Sequence, residues 1–217
     1  MSAELDFGHY PFDPASLPAG WVVTSVGAVS ADIKSGFASG VHNSDGRGVP
    51  HLRPMNVSPS GEIDLSDLRY VADESGPRLV PGDVLFNNTN SPAWVGKTAL
   101  VTHQAPLAFS NHMTRLRMAE GVVPRFAALQ LHYLCTSGYF RHRCKKHVNQ
   151  ASISPTTLAE SVPFVLPPTE AQRRIVAKID ALLASSRAAR AALQAVPELL
   201  EQYKQTVLAA AFRGVLT

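Results

Sequence analysis

Apolar and polar positions follow two different rhythms along this chain. Up to residue 166 the apolar residues fall in short clusters broken by Gly, Pro, Asn and Ser. From Thr169 onward they recur every three or four positions. Clusters of β-branched or aromatic residues between turn formers predict strands. Segment 22–26 is such a strand, and 51–57 reads as a strand interrupted by Pro54 and so placed at an edge. Segment 79–86 reads as a turn leading into a buried strand; 96–102, 113–118 and 162–166 read as further strands. Turns or loops are expected at 36–40, 43–48 and 58–61, and Pro11, Pro14 and Pro18 keep residues 1–20 irregular. Pro124 opens a predicted helix to about Leu134 with a stripe of Phe126, Leu129 and Leu134. A second short helix at 139–144 and a turn or helix start at 154–158 complete the first part.

The second rhythm is a heptad. Steps of four and three from Ile175 lead through Ile179, Leu182, Ser186, Ala189, Leu193, Val196, Leu200, Tyr203 and Val207 to Ala210, and only Ser186 among them is polar. Thr169 and Gln172 have the spacing of a capping box at the start of this helix. Pro197 lies inside it, where proline kinks or restarts a helix. A rod over residues 169–212 would reach ~66 Å at the α-helical rise. Its apolar seam has nothing of its own to pack on and calls for a partner helix. The expected fold class is therefore α+β: a globular mixed α/β domain over residues 1–166, then a long coiled-coil-forming helix over 167–217.

Length and composition agree with one domain plus an appendage: 217 residues, 45% hydrophobic. No apolar run is long enough to span a membrane, and the acidic start lacks the apolar core of a signal peptide. Two cysteines make no disulfide framework, so a reducing cytoplasm is expected. The charge is uneven. Residues 1–85 carry 11 acids against 5 bases, residues 86–168 carry 2 against 8, and the remainder 4 against 7. A basic middle of this kind predicts one cationic face that a polyanion could use.

Several segments, in order, resemble the specificity subunit of type I restriction–modification systems. Leu17-Pro-Ala-Gly-Trp21 resembles the family's opening, and Val49-Pro-His-Leu-Arg-Pro-Met-Asn-Val57 the strand that follows. Pro81-Gly-Asp-Val-Leu-Phe86 with Val95-Gly-Lys97 resembles its central pattern, and Ala108-Phe-Ser-Asn-His112 the next step. Val165-Leu-Pro-Pro168 through Ile179, and Ala211-Phe-Arg-Gly214, resemble the opening and end of the helical region. The family usually carries two recognition domains and two helices in tandem. No internal repeat occurs here, so the resemblance is to one half: one target recognition domain and one helix.

The resemblance implies a DNA-binding subunit without catalysis of its own. Double-stranded DNA, methyltransferase subunits bearing S-adenosylmethionine, and restriction subunits using ATP and Mg would be its partners; no cofactor is expected in this chain. Two copies with antiparallel helices would read a bipartite, palindromic site. The alternative is a fragment or split product that pairs with another specificity subunit and changes or blocks its recognition.

The candidate contacts follow from base and phosphate chemistry. Amides suit adenine edges and arginines guanine, so the loop Asn87, Asn88, Asn90 and Ser91 is a candidate reader. Its alternative is a polar turn. Segment 141–150 has four fixed cations and no acid, so Arg141, Arg143, Lys145 and Lys146, with Asn149, are candidate phosphate contacts, against a merely solvated face. Lys97, Arg115 and Arg117 would extend that surface, the two arginines sharing one face of a strand opposite Leu116. Arg47 and Arg53 are weaker candidates. The dimer seam is assigned to Ile175, Ile179, Leu182, Leu193, Val196, Leu200, Tyr203 and Val207. Arg173, Arg174, Arg187 and Arg190 could dock a methyltransferase subunit or simply aid solubility.

Enzyme motifs are weak. His132, Cys135, Cys144 and His147 have zinc-like spacing, but a buried thiol and a satisfied histidine are the commoner meaning, and no metal is assigned. Ser91-Pro-Ala-Trp94 superficially resembles an amino-methyltransferase tetrapeptide, yet has Ala in its third position and no glycine-rich methyl-donor fingerprint beside it. Trp21, Trp94 and Tyr133 read as core or rim aromatics.

Overall fold

A computed structural model describes residues 5–72, 76–146 and 150–214. Its strands are β1 (Val22–Ser25), β2 (Ser30–Ser35), β3 (Val49–Leu52), β4 (Arg69–Val71), β5 (Arg78–Leu79), β6 (Val84–Asn87), β7 (Thr89–Asn90), β8 (Thr98–Leu100), β9 (Leu107–Phe109) and β10 (Met113–Met118). Helix α1 (Pro124–Thr136), β11 (Lys145–Lys146), β12 (Ala151–Ser152), α2 (Pro155–Ser161), β13 (Pro163–Leu166) and α3 (Thr169–Phe212) follow. The architecture is α+β, with a helix of 44 residues at its C-terminal end. The described residues fall into two units, one up to Arg173 and one from Arg174.

Four small sheets build the first unit. The order β2-β10-β6-β8 is antiparallel throughout. The order β4-β3-β9-β5 is mixed, because β3 and β9 run parallel. Strand β1 pairs antiparallel with β13, and β11-β12-β7 form a short three-stranded sheet. Between the two larger sheets lies an apolar cluster of Leu52, Val57, Leu79, Leu85, Ala99, Val101, Leu107, Phe109 and Met113. Strand β6 is buried at all four positions, as its continuous Val-Leu-Phe pattern requires. Helix α1 buries Phe126, Gln130, Leu131 and Leu134, while Leu129 is only half-buried.

Three expectations change. Segment 51–57 is not an edge strand: β3 ends at Leu52 with a neighbour on each side, and Pro54 begins a 3-10 turn. Pro50 is tolerated within β3 because β9 pairs only with His51 and Leu52, so no ladder bond is lost there. Strand β2 had no strand signature in the sequence; its polar side chains ride on the edge beside β10. Thr169 and Gln172 do not form a capping box. The Thr169 hydroxyl donates to Gly121 O at 2.9 Å, and the fully buried Gln172 accepts from Val123 N at 2.8 Å while donating to Gly121 O and Pro167 O. The amide thus locks the first turn of α3 onto the turn that opens α1, within one unit.

The helix runs unbroken through Pro197. Ile175 and Ile179 are half-buried, whereas Leu182, Leu193, Val196, Leu200, Tyr203 and Val207 are exposed. No helix among the described residues is long and apolar enough to cross a membrane.

Candidate nucleic-acid interface

The amide loop and the lysine pair, 54 positions apart or more in sequence, meet in one sheet. Asn90 of β7 faces Ala151 of β12, which faces Lys146 of β11; Thr89, Ser152 and Lys145 make the next row. Residues in one row of an antiparallel sheet project to the same side. Asn90 and Lys146 therefore share one face, and Lys145 the other. Arg141, Lys145 and Lys146 are exposed and have no acidic partner among the described residues. Asn149 and His147 lie outside the described residues.

Within the loop the four candidates separate. Asn87 is fully buried and donates to Pro54 O at 2.8 Å; Asn88 is buried and donates to Asn111 O at 3.3 Å. Asn90 is half-buried, and its side-chain oxygen accepts from Ser91 N at 2.8 Å. Ser91 O receives the Trp94 and Val95 amides, both at 2.9 Å, so the Ser-Pro-Ala-Trp segment is a compact turn. Gly96 closes it with φ 91, and a Cβ there would lie 2.1 Å from the Phe140 ring. Of the four, Asn90 and Ser91 can be reached from solvent.

The other cations are engaged within the fold. Lys97 is buried and donates to Val57 O beneath Trp94, and burial lowers its pKa. Arg115 is 4% exposed, pairs with Asp32 and donates to Arg78 O at 3.2 Å. Lys97 and Arg115 are therefore removed from the surface set. Arg117 pairs with buried Asp83 at 2.8 Å, a contact that raises its pKa, but part of its guanidinium remains exposed. Arg143 pairs with Asp6 and lies over the Tyr139 ring at 4.0 Å. Arg53 bridges to Asp67 and Arg47 to Asp45. The predicted cationic face is smaller than the charge count implied, because acids from the first part of the chain neutralise bases from the middle.

The zinc-like spacing has another use. His132 accepts from Thr98 N at 3.4 Å through Nδ1, which leaves Nε2 to donate to Pro59 O at 3.1 Å. Burial pushes the Cys135 thiol up to about 11, and Cys144 donates to Arg141 O. Sequence reasoning missed His9. Its ring stacks on His142 with centroids 4.0 Å apart beside the cationic segment, and only folding brings these positions together.

The first unit is thus a mixed α/β domain carrying a small amide-and-lysine sheet, and one long helix follows it in sequence. No protein-family model matches the chain. It is 31% identical over 166 residues to a putative type I restriction enzyme MjaX specificity subunit of Methanocaldococcus jannaschii, covering 73% of this chain and 38% of that protein. It is 26% identical to the type I restriction enzyme StySPI specificity subunit of Salmonella potsdam, over 93% of this chain and 44% of that one. The solved HsdS subunit from Thermoanaerobacter tengcongensis superposes with a TM-score of 0.69 at 26% identity, over 94% of this chain and 48% of that chain. The chain is thus similar in sequence and fold to the specificity subunits of type I restriction enzymes. It spans less than half the length of these relatives.

Proposed function

We propose that the chain binds DNA sequence-specifically for a type I restriction–modification complex, reading one half-site with its α/β domain. Two copies pair through antiparallel α3 helices, so that a bipartite, palindromic site is read and methyltransferase and restriction subunits are held over it. The observation that carries this reading is the combination of a half-length match with a long helix whose heptad seam lies open to solvent. Asn90, Ser91, Arg141 and Lys146 are the surface groups best placed for the nucleic acid, with Lys145 on the other side of the same strand. S-adenosylmethionine, ATP and Mg belong to the partner subunits.

The test is reconstitution. The purified chain, a type I methyltransferase subunit and S-adenosylmethionine are mixed with genomic DNA, and methylated positions are mapped. A single palindromic, bipartite motif is the expected result. Methylation only after a second specificity subunit is added would show instead that this chain works by pairing with a longer relative.

A further inference from the structure

We propose that the stacked imidazoles of His9 and His142 form a proton-coupled contact for a backbone phosphate of duplex DNA. The inference deepens the DNA-recognition reading above and rests on it.

The pair is built rather than accidental. The rings are 4.0 Å apart and 14° from parallel, and both residues are exposed. His9 is the one non-glycine residue with positive φ among the described residues, at 51°. Side chains rarely take that backbone, and such outliers cluster at functional sites. The segment carrying it is anchored on both sides. Asp6 N donates to Ser161 O at 3.0 Å, the Tyr139 hydroxyl donates to Asp6 O at 2.8 Å, and Arg143 pairs with the Asp6 carboxylate. Tyr10 closes the turn onto Phe7 O and packs edge-on against Tyr139.

The surroundings favour an anion. His142 faces His9, Arg141, Arg143 and Lys146, and each of them opposes its protonation, His9 most strongly. Asp6 also interacts with His9, but its carboxylate is already held by Arg143. Two imidazoles at this spacing resist carrying two charges in the free protein. A phosphate oxygen alongside them reverses that balance by accepting an N–H from each ring. DNA binding would then take up protons, and affinity would rise as pH falls. A contact to backbone rather than bases affects all sequences alike.

The experiment follows imidazole NMR signals of the full chain across roughly pH 5.5–8, the range in which histidine titrates. It is run at fixed ionic strength, alone, with a random-sequence duplex, and with inorganic phosphate. The expected result is that the duplex moves the His9 and His142 titrations upward by about one pH unit, with little effect of inorganic phosphate. In parallel, the gain in affinity on acidification should be on the order of tenfold larger for the wild type than for His9→Asn/His142→Asn. Asparagine tolerates the left-handed backbone at position 9. A duplex that binds without moving either titration overturns the inference and leaves the recognition reading intact. Equal shifts with inorganic phosphate overturn the DNA assignment. No duplex binding at any pH overturns both readings.

Discussion

Arg143 has its charge and its flat face both engaged: Asp6 holds the guanidinium and Tyr139 lies beneath it at 4.0 Å. Its side chain is only 12% exposed. Arg143→Ala should therefore lower stability, by about 1–3 kcal/mol from the lost cation–π contact and hydrogen bonds. Urea unfolding checks this, and an unchanged midpoint would mean that residues 5–10 are not tied down this way. The pairing also sets a pH dependence. Arg143 holds the Asp6 carboxyl below its ordinary range, so its contribution is present above the unfolded value near ~3.9 and lost as pH falls through the lowered folded value. Acid sensitivity in that window should weaken in Arg143→Ala. Lys145 and Lys146 are the contrasting case, exposed and without acidic partners among the described residues. Replacing both with Ala should leave the melting temperature in place and reduce the salt slope of DNA binding by about 1, the contact of Lys146 on the Asn90 face. An unchanged slope would remove them from the interface. Sequence could mark all these residues as cationic, but could not tell the two kinds apart. Arg115, Arg117 and Arg143 find Asp32, Asp83 and Asp6 across 34 to 137 positions, and no local pattern carries such pairings.

The elements show which signals survive folding. Strands with continuous apolar runs, β6 above all, were legible because burial on both faces imposes that composition. Strand β2 was not, because an edge strand asks little of its solvent side. Helix α1 was found from Pro124 and its stripe, and α3 from its heptad, since periodicity is local information. The Thr169–Gln172 spacing was seen but misread: the same two residues serve a non-local contact with Gly121 and Val123. That contact makes a sharp prediction. Gln172→Ala leaves the half-buried Val123 N–H and the buried Pro167 carbonyl without their side-chain partner, a cost of about 1–3 kcal/mol. The variant should unfold at lower urea concentration, while helix content by circular dichroism, dominated by residues 174–212, changes little. A loss smaller than about 1 kcal/mol would mean that the lock is not formed.

At the scale of the whole molecule the long helix is unusual in what it leaves uncovered. Leu193, Leu200 and Tyr203 are 71%, 62% and 70% exposed, all on the heptad seam. A single surface leucine means little, but a seam repeated over about five heptads is what a partner helix buries. Self-pairing about a two-fold axis perpendicular to the helix would set each seam against its own copy with the helices antiparallel, as proposed above. Light scattering over a concentration series should therefore give twice the 23.3 kDa of one chain. Leu193→Glu with Leu200→Glu places like charges in that seam and should return the mass to one chain. The domain should melt as before, since both positions lie on the unit that begins at Arg174. If the wild type is a monomer at every concentration, self-pairing is wrong, and the seam then awaits a helix from another protein. Mixing the chain with a full-length specificity subunit of the kind it matches, and weighing the product, would decide between the remaining occupants.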